Sequence, residues 1–493
     1  MVSVRTLICI VTYQAEDQIE QVLKRLPHEV WNSESFHILL SDDASTDSTV
    51  EKAKKAIKEL GTNHTIIRLH KNQGYGGNQK VCYRYSINKE YDNVVLLHGD
   101  CQYAPELVME FQKYIRDKNA DIVLGSRLKN KSSAFRRRMP WYKFFGNIIL
   151  TWTQNHIAKS KISDYHTGYR AYSTNFLKSI PFELNSDDYH FDTEIILQAL
   201  HVNANIHEFP IPTFYGEEIF RVPLFMYSIE VLKTTIFYRM QRYGLKVSLK
   251  YPRSAEQIYI DKQNHPISTH ASAWDYLKKN YSSAPAKVLD VGCGPGHLAK
   301  QLPPQIQYTG IDRVRPLNSS FYSFIMMDLE RDKWEIDISE YDCVLIMDVI
   351  EHLFDPEGFL LQLRNQMKKD KTPTILISTA NVGFFLIRLN LFFGRFNYAD
   401  RGILDITHKR LFTKSSFRNL LKETGYEMVD LKGIGMPFRV FGDGKLFRLV
   451  DHISAFLARL YPSLFAFQFY GEIKPKLNVY QLIKLDEESN AST

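Results

Sequence analysis

Residues 36–47 read FHILLSDDASTD, a stretch in which a short apolar run passes directly into a turn that carries three carboxylates. The apolar part, residues 36–40, has the length and the bulky side chains of a buried strand. The turn leads into residues 47–60, whose apolar positions recur at helical spacing, with Asp47 placed to cap the helix. A strand followed at once by a helix is the repeating unit of α/β proteins, so this stretch predicts that fold class.

The same alternation extends over the N-terminal half of the chain. A second helical pattern covers residues 105–118, with Pro105 in its first turn, and an amphipathic pattern over 222–248 ends the series. Further apolar runs predict strands at VRTLICIVT (4–12), HTIIRLH (64–70), NVVLLHG (93–99) and ADIVLGS (120–126). Alternating strands and helices predict a mostly parallel sheet, whose ligands bind outside the carboxyl ends of the strands.

A second α/β alternation begins after a polar stretch at residues 249–270. Its predicted strands are AKVLDVG (286–292), QYTGID (307–312), SFIMMD (323–328), DCVLIMD (342–348) and TPTILIST (372–379), and its predicted helices cover 296–302, 355–368 and 414–424. The expected architecture is therefore two doubly wound α/β domains. We expect the first at residues 1–248, a linker at 249–270, the second at 271–485 and a disordered tail at 486–493.

Composition and charge describe an ordinary globular chain of 493 residues, with 44% hydrophobic and 24% charged residues. The net charge of +7 suits anionic ligands or a membrane surface without requiring nucleic acid. Five scattered cysteines without CxxC spacing argue against a disulfide scaffold or a zinc site and favour a reducing compartment. Because no apolar segment reaches the roughly 20 residues of a membrane span, we expect a cytoplasmic protein, soluble or peripheral at a membrane.

Two acidic turns follow predicted strands of the first domain. One contains Asp42 and Asp43, and the other contains Asp100 and Gln102. Since parallel strands end at the same edge of a sheet, we expect the two turns to lie together, where oxygen ligands suit Mg²⁺ or Mn²⁺ bridging a diphosphate. The alternative is that polar residues of the first turn, such as Asp47, only cap the next helix.

The first domain resembles the family 2 glycosyltransferases of the GT-A fold over residues 4–245, and within them the polyprenyl-phosphate sugar transferases and related polysaccharide enzymes. The order and spacing of seven motifs carry the resemblance: IVTYQAE (10–16), SDDASTD (41–47), NQGYGGN (72–78), HGDCQYAPE (98–106), GSR (125–127), DYHTGYRAYS (164–173) and FDTE (191–194). The resemblance implies a nucleotide-sugar donor and a glycan or polyprenyl-phosphate acceptor.

The resemblance also implies roles for individual residues. Four residues are expected to hold the base and ribose of the donor: Thr12, Tyr13, Asp42 and Asp43. Asp100 and Gln102 are expected to reach the metal and the diphosphate, where a divalent cation neutralises the leaving group. The chain departs from the family at His98, which stands where the DxD-like turn has its first acid. His98 either ligates the metal, bonds a phosphate or packs, so metal dependence is an open question.

Asp192 of the FDTE motif matches the position of the general base in the family. A carboxylate within hydrogen-bond reach can take the proton that an acceptor hydroxyl loses as it attacks the anomeric carbon. Two alternatives remain open. Asp192 is also placed to be an acid favoured by the dipole of a helix N-terminus, and a lipid-phosphate acceptor is already ionised and needs no base.

A basic run, RLKNKSSAFRRRMPWYK at residues 127–143, holds seven Lys or Arg residues and no acid. Such a run is often a solvated loop. Its place directly after the GSR motif also suits an anionic acceptor or anionic lipid headgroups. The aromatic residues at 141–145 are compatible with an interfacial anchor or with a core helix.

The second domain has a glycine loop, LDVGCGPG (289–296), between a predicted strand and a predicted helix. Together with acids that end the next strands and the turn MDVIEHL (347–353), it resembles a class I S-adenosylmethionine-dependent methyltransferase over about 271–475. The resemblance assigns the loop, with Asp290, Gly292, Gly294 and Gly296, to the cofactor's amino-acid and ribose portion. It assigns Asp312 to the ribose and Asp328 with Leu329 to the adenine. A nicotinamide-binding domain is the alternative, against which the short glycine spacing weighs.

Methyl transfer to a hydroxyl needs orientation and a base, and His352 and His408 are the candidate bases. Each could instead only cap or pack. The aromatic segment 381–411 is long for this fold and is expected to form an acceptor-binding lid.

The combined prediction is a bifunctional enzyme that transfers a sugar with inversion and methylates an acceptor, in cell-surface polysaccharide or glycolipid synthesis. Two alternatives are kept. One is a polyprenyl-phosphate sugar synthase fused to a methyltransferase of unrelated target, and the other is that one half is an inactive binding module.

Overall fold

The computed structural model describes residues 4–60, 63–129, 140–212, 224–244, 246–251, 267–315, 322–367, 372–442 and 444–476. The chain divides into two compact units. The N-terminal unit comprises Met1–Arg242 with Ser248–Pro252, and the C-terminal unit comprises Tyr243–Val247 with Arg253–Thr493. Most of the predicted linker and the whole predicted tail lie outside the described residues.

The N-terminal unit contains a seven-stranded mixed sheet in the order β3-β2-β1-β4-β6-β5-β7. The strands are β1 (Thr6–Thr12), β2 (Phe36–Asp42), β3 (His64–Arg68), β4 (Asn93–His98), β5 (Ile122–Ser126), β6 (Arg170–Ser173) and β7 (Ile206–Pro210). Only β6 runs antiparallel to its neighbours, β4 and β5. The five strands predicted for this half are present.

The register of β1 with its two neighbours determines where the two acidic turns leave the sheet. β1 pairs in parallel with β2, with Thr12 opposite Asp42, and with β4, with Val11 opposite His98. The two acidic turns therefore leave the sheet from the same edge, as the sequence predicts.

Helices cover both faces of this sheet. Their bounds are α1 (Ile19–Lys24), α2 (His28–Asn32), α3 (Thr49–Leu60), α4 (Tyr75–Asn88), α5 (Val108–Lys118), α6 (Trp141–Ala158), α7 (Thr174–Ser179), α8 (Phe191–His201) and α9 (Leu224–Arg242). Ile8 and Ile10 of β1 point into one core, while Leu7 and Cys9 point into the other. This alternation of side chains is expected of a strand buried on both faces.

A disulfide joins Cys9 of β1 to Cys82 of α4, two residues separated by 73 positions in sequence. The cysteine spacing does not predict this bond. It arises because α4 packs on the face of the sheet to which Cys9 points, so that both side chains lie in the same core. A single disulfide does not make a disulfide-based scaffold. It does differ from the prediction that the cysteines remain reduced.

The C-terminal unit contains a second seven-stranded sheet, in the order β10-β9-β8-β11-β12-β14-β13. The strands are β8 (Ala286–Val291), β9 (Ile306–Asp312), β10 (Ser323–Met326), β11 (Cys343–Ile346), β12 (Thr374–Ala380), β13 (Tyr426–Ile434) and β14 (Gln468–Pro475). β14 is antiparallel to both β12 and β13, and the other pairs are parallel.

Helices also cover both faces of the second sheet, above two separate apolar cores. Their bounds are α10 (Thr269–Tyr281), α11 (Pro356–Asn365), α12 (Phe385–Phe392), α13 (Lys414–Glu423), α14 (Lys445–Leu460) and α15 (Pro462–Phe465). The predicted fold class, two doubly wound α/β domains, is confirmed. Among the described residues, no helix combines the length and hydropathy required to cross a bilayer.

The helix predicted at residues 296–302 is not an α-helix. Residues 296–302 form only a short 3-10 turn, Leu298–Gln301. Pro303 and Pro304 follow directly, and because proline disfavours helical geometry in the residue before it, the turn cannot lengthen into an α-helix.

Candidate functional site

The first acidic turn of the N-terminal unit is held by the carboxylate of Asp42, which is fully buried. It accepts hydrogen bonds from Thr12 Oγ1 at 3.2 Å, from the Ser45 backbone at 2.9 Å and from Ser45 Oγ at 2.5 Å. Asp47 accepts from both the backbone and the hydroxyl of Thr49, at the start of α3. Asp47 therefore caps α3, as the alternative interpretation of this turn expects. Asp42 is buried and holds the turn together through its hydrogen bonds.

Asp43 supports a different loop at the same edge. Its carboxylate accepts from the backbone of Gln73 at 2.7 Å and of Gly74 at 3.0 Å, directly before α4. Burial raises the pKa of Asp43, and these two hydrogen bonds oppose that rise. Of the four residues predicted to hold the nucleotide, only Tyr13 is exposed, at 39%.

The second acidic turn presents Asp100 at the end of β4. Cys101 has a φ of 60°, and the Asp100 carboxylate accepts from the backbone of Gln102 at 3.1 Å, so the turn is tight. Burial raises the pKa of Asp100. The described residues contain no cluster of three or more His, Cys, Asp or Glu side chains suited to a metal. One carboxylate fits a Mg²⁺ ion that is held mainly by substrate phosphates and water.

His98 packs between aromatic rings beside this turn. Its ring lies edge-on to those of Tyr75 and Tyr103, with centroids 5.5 and 5.2 Å away. His98 Nε2 is 3.3 Å from the Tyr75 hydroxyl, which donates its proton to Asp192 at 2.8 Å, so Nε2 is the donor toward Tyr75. Burial lowers the pKa of His98 to about 4, which leaves the imidazole neutral. This geometry favours packing and orientation as the role of His98.

Asp192 lies in the first turn of α8 and is 4% exposed. Besides Tyr75, its carboxylate accepts from Gln79 Nε2 at 3.3 Å and lies 3.6 Å from the guanidinium of Arg170. These donors and the positive charge fix the position of the carboxylate. Asp192 and His98 are thereby joined through one tyrosine, although 94 positions separate them.

The sequence-based prediction gives Arg170 no role and gives Arg127 one only as the first residue of the cationic run 127–143. Arg170 is fully buried and donates to the backbone carbonyls of Tyr165, Thr167 and Asp192. Arg127 forms a two-pronged ion pair with buried Asp164, at 2.8 and 3.0 Å. Burial raises the pKa of Asp164, but the charge and hydrogen bonds of Arg127 outweigh it and the pKa is lowered. Both arginines belong to motifs that carry the family resemblance, which could have identified them as site residues. Arg127 is the last residue of GSR, and Arg170 lies in DYHTGYRAYS.

The glycine loop of the C-terminal unit follows β8. Gly292, Gly294 and Gly296 all have positive φ, between 53° and 74°. A Cβ on Gly292 would also lie 2.7 Å from Val349. Asp312, at the end of β9, accepts from the backbone of Gly294 at 2.8 Å, so the acid and the loop are in direct contact. This cradle has the glycine backbone and the carboxylate that a nucleoside-type cofactor requires.

Asp290 lies beneath this loop, at 3% exposure. Tyr308 donates its hydroxyl proton to the carboxyl group. Burial raises the pKa of Asp290 to about 7, although the hydrogen bond from Tyr308 lowers it. The carboxyl group of Asp290 is therefore held by Tyr308 directly before the loop in sequence.

Asp328 and Leu329, the residues predicted to border the adenine, also stabilise the local structure. The Asp328 carboxylate accepts from the backbone of Glu330 at 3.0 Å, which lowers its pKa. Leu329 is 9% exposed and belongs to the apolar core, and its carbonyl accepts from the Trp334 indole.

His352 and His408 are brought together, with ring centroids 4.7 Å apart at an interplanar angle of 74°. His408 Nδ1 lies 2.9 Å from the carbonyl of Ile403, which can only accept, so the proton of the neutral ring is on Nδ1 and Nε2 carries the lone pair. Next to His352, Glu351 is 1% exposed, and burial raises its pKa to about 7. The backbone of residues 409 and 410 donates to the Glu351 carbonyl, which ties the predicted lid to the MDVIEHL turn.

Comparisons with known proteins agree with this division. The sequence model of glycosyl transferase family 2 matches residues 7–180, and a methyltransferase domain model matches residues 268–431. The chain is similar to UDP-N-acetylglucosamine–dolichyl-phosphate N-acetylglucosaminyltransferase of Methanococcus voltae, at 26% identity over 40% of this chain and 82% of that protein. It is also similar to a low-salt glycan biosynthesis hexosyltransferase of Haloferax volcanii, at 26% identity over 42% of this chain and 47% of that one.

Among solved structures, a SAM-dependent methyltransferase from Archaeoglobus fulgidus shares 18% identity, covering 44% of this chain and 97% of that one at a TM-score of 0.28. The two family models, taken together, indicate an enzyme with glycosyltransferase and methyltransferase domains. It joins a family 2 glycosyltransferase domain to a methyltransferase domain.

We predict that Gly168→Ala displaces His98. The added Cβ would lie 2.4 Å from His98 Cε1 and 2.9 Å from the Tyr75 hydroxyl, and overpacking of this kind costs about 1–3 kcal/mol. Urea unfolding of the full chain measures the loss. When His98 is already replaced by Ala, Gly168→Ala should lower the free energy of unfolding by clearly less. Equal costs in the two backgrounds would show that His98 is not the group displaced.

A pH dependence follows from Asp290. The folded pKa near 7 is above the value of about 4 expected in the unfolded chain, so ionisation of this group lowers the stability of the wild type as the pH rises from about 4 to about 7. Asp290→Asn should therefore gain stability relative to the wild type over that range, by a few kcal/mol. Urea unfolding at several pH values measures it, with exposed Asp275→Asn as the control. A pH-independent difference would contradict the assignment.

Proposed function

We propose that the N-terminal unit transfers a sugar from a nucleotide-sugar with inversion, and that the C-terminal unit methylates an acceptor oxygen with S-adenosylmethionine. The observation that carries the first half is the Asp192 carboxylate, held by Tyr75, Gln79 and Arg170 at the sheet edge where Asp100 emerges. An inverting transfer needs a base on one side of the anomeric carbon and a charged leaving group on the other.

On the donor side, Tyr13 would lie along the base, while Thr12, Asp42 and Asp43 would shape the loops around the ribose. Asp100 and Gln102 would hold a divalent cation, Mg²⁺ or Mn²⁺, which would neutralise the departing diphosphate. His98 acts by orienting Tyr75 and is not needed as a metal ligand. The replacement of an acid by His98 is thereby compatible with an active domain.

On the acceptor side, Asp192 takes the proton of the attacking hydroxyl. Tyr75 and Gln79 each donate one hydrogen bond to the carboxylate, and Arg170 supplies a buried positive charge behind it. These contacts orient the carboxylate in advance, so that no side chain has to reorganise as the proton moves.

In the C-terminal unit, the Gly292–Gly296 backbone and Asp312 would hold the amino-acid and ribose parts of S-adenosylmethionine, and Asp328 with Leu329 would border the adenine. The cofactor supplies an electrophilic methyl group. The chain supplies orientation and a base, for which His408 Nε2 and His352 are suited because both rings are held from Nδ1. Residues 381–411, which carry His408, would close over the acceptor.

Both activities would serve one pathway, the synthesis of cell-surface polysaccharide or glycolipid, with catalytic domains at residues 1–248 and 271–485. The related enzyme of Methanococcus voltae is named as a dolichyl-phosphate transferase. This favours a second candidate, in which the sugar acceptor is a polyprenyl phosphate. Residues 130–139 of the cationic run 127–143 lie outside the described residues. In this candidate the run would bind the lipid phosphate, and the cytoplasmic enzyme would be peripheral at the membrane.

We predict that Asp192→Asn lowers the rate of transfer to a sugar hydroxyl by about 10²–10⁴-fold, because the amide cannot accept the proton. Product formation by mass spectrometry, with mixed nucleotide-sugars and either glycan or polyprenyl-phosphate acceptors, measures the loss. Exposed Asp188→Asn is the matched control. Full activity of Asp192→Asn with a polyprenyl phosphate would favour the second candidate, and full activity with a hydroxyl acceptor would remove the base assignment.

We expect Asp312→Asn to weaken binding of S-adenosylmethionine by about 10- to 100-fold, since a charged hydrogen bond to the ribose contributes about 1.5–3 kcal/mol. Titration calorimetry of the full chain gives the affinity. Exposed Glu335→Gln is the control and should bind like the wild type. Unchanged affinity of the Asp312 variant would show that the ribose is held elsewhere.

A further inference from the structure

We propose that the C-terminal unit docks on an anionic lipid bilayer through an exposed apolar face formed by α14 and residues 385–398. This surface, called the apolar face below, lies on a different unit from the cationic run 127–143. The docking does not depend on the proposed reactions.

The α14 part of the apolar face is a continuous stripe along one side of the helix. Its members recur alternately three and four positions apart, and they are 48–70% exposed. They are Leu446, Leu449, Ile453, Phe456 and Leu460. Single exposed apolar residues are ordinary on protein surfaces, but a contiguous stripe of this size marks an interaction surface.

The inner side of α14 confirms that this orientation is set by the fold. The fully buried positions of the helix are Asp451 and Ala458. Asp451 accepts from the backbone of Phe438 at 2.6 Å and of Arg439 at 3.3 Å. Because these bonds hold Asp451 inward, the exposed apolar stripe lies on the side of the helix away from the core.

Residues 385–398 extend the apolar face. The ring of Phe385 lies 5.8 Å from that of Phe465 in α15, which directly follows α14, and Arg388 donates to the Ser463 carbonyl at 3.2 Å. The segment exposes a further group of large side chains, between 40% and 82% of each. They are Leu389, Leu391, Phe392, Phe393, Phe396 and Tyr398.

The charges around the apolar face point to an anionic surface as its partner. Segments 385–398 and 444–461 contain five exposed cations, Arg388, Arg395, Lys445, Arg448 and Arg459. Their only acidic residue is Asp451, which is buried. An apolar stripe flanked by cations is the composition of a helix that lies in the interface of a membrane with anionic lipids.

Docking in this way would bring the acceptor lid to the membrane. The apolar residues at 385–398 and His408 belong to the same segment, and the ring of His408 lies edge to face with that of His352. A methyl acceptor carried on a lipid would then reach the lid from the bilayer surface, a consequence that rests on the proposed function.

Vesicle sedimentation of the full chain tests the docking. The wild type should bind phosphatidylcholine vesicles that contain one third phosphatidylglycerol and bind pure phosphatidylcholine much more weakly. Leu449→Glu should lower the partition coefficient about tenfold or more, because it places a charge in the apolar stripe. Lys445→Glu with Arg448→Glu should lower it by about fivefold or more per residue.

The matched controls place the same changes elsewhere on the unit. Leu361→Glu alters an exposed leucine of α11, and Lys278→Glu with Lys279→Glu alters two exposed cations of α10. Both should bind vesicles like the wild type, and circular dichroism checks that every variant is folded. Loss of binding in these controls to the same extent would overturn the proposal.

Two other outcomes would also overturn it. One is that replacing Arg136, Arg137 and Arg138 by Glu abolishes binding while Leu449→Glu has no effect, which would assign the membrane contact to the N-terminal unit. The other is that Leu449→Glu converts a dimer into a monomer, by analytical ultracentrifugation, without changing vesicle binding. Sugar and methyl transfer to water-soluble acceptors should be unchanged in the Leu449→Glu variant and in the Lys445→Glu with Arg448→Glu variant. Their loss would bear on the proposed function instead.

Discussion

The N-terminal site depends on one constraint, the parallel pairing of β1 with β2 on one side and β4 on the other. Backbone hydrogen bonds hold Thr12 opposite Asp42 and Val11 opposite His98, so both acidic turns emerge at one edge. A slip of one residue would turn each side chain of the slipped strand to the opposite face. The Cys9–Cys82 disulfide on one face of β1 and the packing of both faces in separate cores oppose such a slip.

The two units use carboxylates in a similar way. Asp43 accepts from the backbone before α4, and Asp312 accepts from the backbone of the glycine loop. In each case an acid at the end of one strand fixes a loop that follows a different strand. Asp43 follows β2 and holds the loop after β3, and Asp312 ends β9 and holds the loop after β8. A substitution of such an acid therefore changes the shape of the pocket as well as the chemistry offered to a ligand.

Much of this could be predicted from sequence because it is local. The strands, the acidic turns and the glycine loop follow from apolar spacing and from residues with special backbone or capping properties. The burial of Asp42, the Cys9–Cys82 disulfide and the contact of Asp192 with Tyr75 could not be predicted in this way. Each depends on residues that are far apart in sequence and meet only after the sheet and helices pack.

By itself, the sequence determined the two α/β domains, the strands β1–β5 and β8–β12, and the acids and glycines that follow those strands. The tertiary structure alone decided which of these side chains face a ligand and which hold a loop from inside. It also turned the apolar side of α14 outward. The physical reason is that hydrophobic spacing specifies only that one side of an element is apolar, whereas buried polar contacts such as those of Asp451 select the direction in which that side points.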